Sequence, residues 1–362
     1  MPRQTKPSIN EESLKKLQEV GWSHPLIEAR LRFVEANHLL SHYLRSMVGL
    51  ERVYPRINPT LATGRWGTSD PPIPNLTADR KYGPHGIRDV VGPDPGEIWI
   101  GFDYEAIEGR LTSYDCKDQA DIEAFEKGYE IHTLTACKMF HWPEPTVTPT
   151  KKAIFADQEY CAKLGYHAHR MLCRAKEPHH GCVQEPWFDD HRIRRLAKNC
   201  RYSLIYELVR AKGAAMRKYA FEMKMEPEYL QSIGAVYLDS KPGFTAWKKY
   251  WQTKCAQEGI ARTLIYGRRR LLAGNMEHRA KEGGNHRIQG SVADIICTAI
   301  IQVDREFPEL TLAYQSHDGL KWHAPATFTG LPRLKTIVEK AYQVGNRVMG
   351  CPADWKIIHP EE

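Results

Sequence analysis

The chain has 362 residues, 42% hydrophobic and 26% charged, with a formal net charge of +7 and 16 histidines counted as neutral. That profile fits a soluble enzyme of two or three domains, or one large domain with subdomains. No run approaches the roughly 18 apolar residues that span a bilayer, no signal peptide opens the chain, and nine scattered cysteines without a CxxC pair suit reduced thiols in a cytoplasm.

In chain order, residues 11–48 read as helices, with Leu14, Leu17 and Val20 and then an apolar pattern from Leu26 to Leu40 near a 3.6 period. Residues 54–96 are rich in proline and glycine and predict short strands and ordered loops. The run 97–103, bounded by Gly96, predicts a buried strand that ends on Asp103. Residues 106–125 and 131–140 predict helices, 141–190 lose periodicity, and 191–260 turn helical again with a break at Lys241-Pro242-Gly243. A hairpin is expected over 263–272, a helix over 288–303, and a second hairpin over 312–323 with Asp318-Gly319 at its turn. The pattern is mixed α+β without an internal repeat.

Basic residues crowd two segments, Arg192 to Arg201 and Arg268 to Arg270, which suit a polyanionic partner or a solvated surface equally. Asp103 and Asp318 stand out because two-metal phosphoryl transfer needs carboxylates on rigid strands, converging on ions roughly 4 Å apart. Two aspartates suffice for Mg²⁺, which takes one or two carboxylates plus substrate phosphates. Arg194, Lys198, Tyr202 and Tyr206 recur every four residues, so a helix would align them in one slowly drifting ridge. Two cations followed by two aromatic planes suit a triphosphate and a base or sugar. The same spacing suits a basic amphipathic helix on a solvated surface.

These segments resemble motifs of the DNA polymerase I family, family A. Asp103-Tyr-Glu-Ala-Ile-Glu-Gly-Arg110 is similar to its first polymerase motif, the segment from Arg194 to Tyr206 to its fingers helix, and Gln315-Ser-His-Asp318-Gly-Leu to its third. Weaker echoes fall in order between them: Thr63-Gly-Arg65, Ile131-His132, Tyr266-Gly-Arg-Arg269 and Asn285-His-Arg-Ile-Gln289. The resemblance covers residue 10 or so to the C-terminus. It implies an α+β right-hand polymerase fold with an antiparallel-sheet palm, helical fingers and a truncated helical thumb. The implied divisions are 1–48 partial thumb, 49–114 and 281–362 palm, and 115–280 fingers, with an insertion at about 145–190.

The implied activity is template-directed DNA polymerisation on primer–template DNA from deoxynucleoside triphosphates, without membrane attachment and without a proofreading exonuclease. Asp103 and Asp318 are the implied ligands of two Mg²⁺ ions, for which Mn²⁺ could substitute, with the Tyr104 carbonyl assisting. Arg194, Lys198 and His132 would grip the triphosphate, Lys198 also serving as proton donor to pyrophosphate. Glu108 would lie under the sugar and exclude a 2′-hydroxyl. Tyr202 would pack beside that sugar and favour acceptance of dideoxynucleotides, and Tyr206 would stack near the templating base. Arg65, Arg110, Asn285, Gln289 and His317 would follow the primer end and the minor groove, contacts that read pair shape.

The sequence departs from the family pattern at several places. Gly319 replaces the acid that follows the catalytic aspartate, which removes the expected third carboxylate. Arg201, Ser203 and Glu207 replace Asn, Gly and Gly on the fingers helix, in the region of the template-base pocket. Pro72 and Lys281 replace an Asn and an Arg that contact the duplex. The insertion holds Cys161, His167, His169, Cys173, His179, His180 and Cys182, enough for a Zn²⁺ site, but no pair has CxxC spacing and a contact with template or a partner suits it better. A phage-type RNA polymerase shares the palm and the Arg, Lys, Tyr helix, while Glu108 and His317-Asp318 favour DNA. The same motifs also fit a split enzyme, needing a separate chain for thumb, exonuclease or processivity, and a non-catalytic primer–template-binding subunit.

Overall fold

The computed structural model describes residues 24–76, 91–129, 131–140 and 227–360, together with Leu14, Leu17, Ala197, Lys198 and Arg201. Helix α1 is Pro25–His42, and a 3-10 turn follows at Leu44–Ser46. The proline-rich stretch holds the short strands β1 (Arg56–Asn58) and β2 (Gly67–Ser69), antiparallel to each other, and the 3-10 turn Ile73–Asn75.

Strand β3 (Glu97–Tyr104) is the expected buried strand and runs through the middle of the molecule. It is followed by α2 (Ile107–Asp115), α3 (Gln119–Glu126) and α4 (Ile131–Phe140). The single helix expected over 106–125 is thus two, because Lys117 adopts a left-handed φ of 60° and Asp118 caps a new N-terminus by accepting from Asp121 N at 3.2 Å. Further along come α5 (Pro227–Asp239) and α6 (Pro242–Glu258), the latter with proline in its first turn and Gly259 in the left-handed conformation at its end.

Strands β4 (Ile260–Arg262) and β5 (Arg269–Leu271) form a hairpin that starts earlier than expected. Residues 263–265, the expected first strand, pack against α7 instead, where Leu264 N donates to Ser291 Oγ at 2.7 Å. Helix α7 (Met276–Glu306) has 31 residues, beginning twelve before the expected position. Asn275 caps it by accepting from His278 N at 2.9 Å, a signal that the apolar period, which starts only at Ile288, does not contain.

Strands β6 (Thr311–Ser316) and β7 (Gly319–Pro325) form the second expected hairpin. Its turn is His317-Asp318, one residue before the expected position, since Gly319 already pairs with Ser316. Helix α8 (Leu331–Val338), the hairpin β8 (Tyr342–Val344) and β9 (Arg347–Met349), and β10 (Ala353–Ile358) complete the described chain.

A four-stranded antiparallel sheet in the order β10, β3, β7, β6 organises these elements. Strand alternation gives β3 two faces. Ile98, Ile100, Phe102 and Tyr104 join the main core with Ile288, Val292, Ile295, Ile296, Ala299 and Val303 of α7, a helical stripe at 3.6 spacing. On the opposite face Trp99 packs with Met47, Ile73, Leu76 and Tyr314. Burying each large apolar side chain contributes about 1.5–3 kcal/mol relative to exposure, so β3, covered on both faces, is a rigid base for whatever it carries at its end. No helix among the described residues is long and apolar enough to cross a membrane.

Candidate active site

Asp103 lies on the face of β3 shared with Trp99 and Gly101, away from the α7 core, and its carboxylate is accessible. Its partner across the sheet is Gly319. Tyr104 N donates to Asp318 O at 3.1 Å, which draws the tip of the β6–β7 hairpin over the end of β3 and sets Asp318 beside Asp103. A side chain at position 319 would defeat this approach: its Cβ would lie 2.2 Å from Phe102 O and 2.6 Å from Asp103 Oδ1. The glycine that replaces the family's acid is therefore a requirement of how closely these strands meet. The tip also holds His317 at a left-handed φ of 50°.

The acids at this end of the sheet are more numerous than the loss at Gly319 suggested. Asp354 of β10 pairs directly with Asp103 from the other side, so the two carboxylates share a face. Glu108, on the first turn of α2, reaches toward Asp318 from above. The turn into α2 is tight because Ala106 takes a left-handed φ of 47°, which brings Glu108 back over the strand end. Like charges on facing positions oppose one another. Burial, and then the charges of Glu108 and Asp103, push the Asp318 carboxyl well above the usual carboxylate range, against Arg65 and Lys198. Burial likewise raises Asp103, with Asp354 adding to it and Lys356, His317 and Lys198 opposing. A site that strains its own carboxylates in this way favours a cation.

Arg65 partly meets that demand. Its Nη2 donates to Asp318 Oδ1 at 2.7 Å and also to Glu108 Oε1. The arginine is held from three directions. Gly64 has a φ of +85°, and Arg268 lies so close over it that a Cβ there would be 2.6 Å from Arg268 Nη2. Arg268 donates to Thr63 O at 3.0 Å, to Gly290 O at 3.1 Å and to Asp294 Oδ1 at 2.7 Å, tying this loop to α7. Trp66 N donates to Gln315 Oε1 at 3.1 Å, and Gln315 Nε2 donates to His317 O at 3.2 Å, tying the same loop to the hairpin.

These groups open onto a cleft of about 680 Å³, which Tyr104, His317 and Arg110 also line. Its far wall carries His132 of α4 and the helical residue Lys198. The Tyr104 ring turns into the core, where its hydroxyl donates to Val338 O at 2.8 Å and burial raises its pKa. Arg110 is buried, its Nε donating to Glu105 O at 3.0 Å and its guanidinium 4.6 Å from the Phe125 ring centroid. Asn285 and Gln289 are half-buried one turn apart on α7 and stand outside the lining of the cleft. Arg194, Tyr202, Tyr206 and the insertion with its cysteines and histidines lie outside the described residues. Among the described residues no three histidine, cysteine or acidic side chains are grouped around one metal position.

Arg201, which departs from the family pattern on the fingers helix, turns inward and donates to Asp121 Oδ2 at 2.5 Å. Asp354, Asp121 and the roles of Gln315 and Arg268 are what sequence reasoning missed. The only local signal among them is the capping pattern Asp118-x-x-Asp121.

The donor set suits Mg²⁺ or Mn²⁺, which take hard oxygen ligands, and Asp103 and Asp318 converge with a cationic guanidinium already at one of them. An antiparallel sheet with paired aspartates at one end, faced across a cleft by lysine and histidine from helices, defines a right-hand polymerase fold. The chain belongs to DNA polymerase family A, whose sequence profile matches residues 2–172 and 183–349. It is 26% identical to the thermostable DNA polymerase I of Thermus aquaticus over 325 residues, which cover 85% of this chain and 33% of that protein. To the DNA polymerase I of Bacillus subtilis (strain 168) it is 25% identical over 327 residues, 85% of this chain and 32% of that one. The chain thus spans about a third of the length of these relatives. The solved POL domain of Pol1 from M. smegmatis, in complex with DNA primer-template and dNTP, superposes with a TM-score of 0.70 at 23% identity, covering 98% of this chain and 57% of that one.

Proposed function

We propose that this chain is a template-directed DNA polymerase that adds deoxynucleotides to a primer 3′-hydroxyl, with Asp103 and Asp318 holding two divalent cations. The observation that carries the reading is the convergence of these two aspartates at the end of β3 and the β6–β7 tip, opposite Lys198 and His132. The relatives named above are DNA polymerases, and the related domain was solved with primer-template and dNTP.

When bound, the cations would acidify the 3′-hydroxyl and neutralise charge on the departing pyrophosphate. The chain's own residues would do the rest. Asp103, Asp318 and the Tyr104 carbonyl would hold the cations. Lys198 and His132, with Arg194, bind the triphosphate, and Lys198 is placed to give a proton to pyrophosphate. Glu108 closes the space beneath the sugar and excludes a 2′-hydroxyl. Arg65 and His317 meet the primer end at the carboxylates, while Arg110 supports this wall from within. Asn285 and Gln289, on one face of α7, follow the duplex. Tyr202 and Tyr206 flank the nucleotide and the templating base. In this reading the sheet and its helices α2 and α7 are palm, and α3 to α6 with the helix of Lys198 are fingers.

Primer extension with deoxynucleotides against ribonucleotides tests the reading. The wild type should prefer deoxynucleotides by at least ~10²-fold, and Glu108→Ala should lose most of that preference. Equal use of both sugars by the wild type would favour an RNA polymerase.

A further inference from the structure

The cleft residues of the nucleotide wall come from three helical segments: Glu108 of α2, His132 of α4 and Lys198, a helical residue three before the helical Arg201. One layer behind the cleft, the same three segments meet again. Ser113 of α2, Thr135 of α4 and Arg201 converge there on Asp121 of α3 and Tyr237 of α5. We propose that Arg201 and Asp121 form a positioning lock that fixes these helices relative to one another, and through them the nucleotide-binding wall; the inference rests on the polymerase reading above.

The contacts are close and specific. Arg201 Nη2 donates to Asp121 Oδ2 at 2.5 Å and to Ser113 Oγ at 3.2 Å. Its Nη1 donates to the Tyr237 hydroxyl at 2.9 Å and to Thr135 Oγ1 at 3.5 Å. The other Asp121 oxygen accepts from Lys241 Nζ at 2.6 Å, and Lys241 also reaches Asp118 Oδ2 at 2.5 Å. Two carboxylates and two cations therefore balance inside the protein. Burial opposes the charge of Asp121, but Arg201 and Lys241 overcome it and hold the carboxyl well below the usual range. Buried charge of this kind is a costly way to gain stability and is better suited to fixing one arrangement.

Geometry explains why a guanidinium is needed. Its planar fork can serve an acid, two hydroxyls and a phenol at once, which a lysine ammonium on a flexible stem cannot. Packing around this anchor adds to the hydrogen bonds. Ala197 is fully buried, and Gly109, the residue after Glu108, lies against Arg201, where an added Cβ would be 3.4 Å from its Nε, an ordinary contact distance. Arg201 and Lys198 are both helical and only three residues apart in sequence, so the lock lies next along the chain to the cleft lysine. Arg201 and Asp121 touch no substrate; they are positioning residues.

The test is steady-state primer extension with Mg²⁺ by the wild type, Asp121→Asn and Arg201→Lys. Primer–template affinity is measured by fluorescence anisotropy, and folding by circular dichroism. The lock predicts that KM for all four deoxynucleotides rises about tenfold in Asp121→Asn and at least threefold in Arg201→Lys. Primer–template Kd should stay within twofold, and kcat should fall by less than KM rises. If Asp121→Asn does not fold, Arg201→Lys decides alone. A folded Arg201→Lys with KM within twofold of wild type, whatever its melting temperature, reduces the cluster to structural packing and overturns the proposal. A wild type without nucleotide-dependent extension would instead bring down the polymerase reading and this inference with it.

Discussion

Arg65 stands 2.7 Å from Asp318 Oδ1, its guanidinium shared between that aspartate and Glu108. In the proposed polymerase the same arginine serves the primer end, the same aspartate a metal ion, and Glu108 the sugar. Without DNA, a divalent cation bound as proposed would compete with Arg65 for Asp318, because both seek carboxylate lone pairs. Arg65→Ala should therefore tighten Mn²⁺ binding to the DNA-free protein about three- to tenfold, read by isothermal titration. Primer extension by the same variant should drop at least tenfold. Mn²⁺ affinity equal to the wild type would show that the pair does not guard the metal site.

Gly319 yields a prediction contrary to family logic. Restoring the missing acid with Gly319→Glu should impair activity, since the first atom of any side chain would overlap Phe102 O and crowd the Asp103 carboxylate. Gly319→Ala isolates the steric part and should cost about 1–3 kcal/mol of stability, the usual range for overpacking. Melting temperature and primer extension check both variants.

His286 makes stability depend on pH. It is fully buried on α7, and neither ring nitrogen has a hydrogen-bond partner among the described residues. Burial, helped by Arg268 and Arg270, lowers its pKa to about 4. An unfolded chain protonates this histidine near pH 6.5, so the folded state binds fewer protons between those values and loses stability as pH falls through them. From pH 7 to pH 4 the wild type should lose roughly 2–3 kcal/mol more than His286→Met, measured by denaturant titration. Parallel pH curves for the two proteins would contradict this.

The sequence displays what short-range physics sets. Strand β3 was legible as an apolar run that closes on an acid, and α7 as a stripe at helical spacing, though its first three turns, which carry few apolar residues, were not. Asp103 and Asp318 stood out as acids at a strand end and a hairpin turn, but only motif resemblance linked the two as one site, because nothing local ties a strand end to a distant hairpin tip. Asp354 escaped notice because its importance lies in register: only the pairing of β10 with β3 sets it opposite Asp103. Arg201 resembled a surface or template-pocket residue because its acid partner Asp121, which also accepts from Lys241, is remote in sequence.

The central claim is that Asp103 and Asp318 together support phosphoryl transfer. Primer extension by the chain with Mg²⁺, comparing wild type with Asp103→Asn and Asp318→Asn, tests it most directly. Each substitution keeps the side chain's size and removes the charge that the cations need. The wild type should extend the primer and either variant should lose at least ~10³-fold, in line with the several kcal/mol that metal-ion catalysis supplies. Variants that extend as fast as the wild type would contradict it.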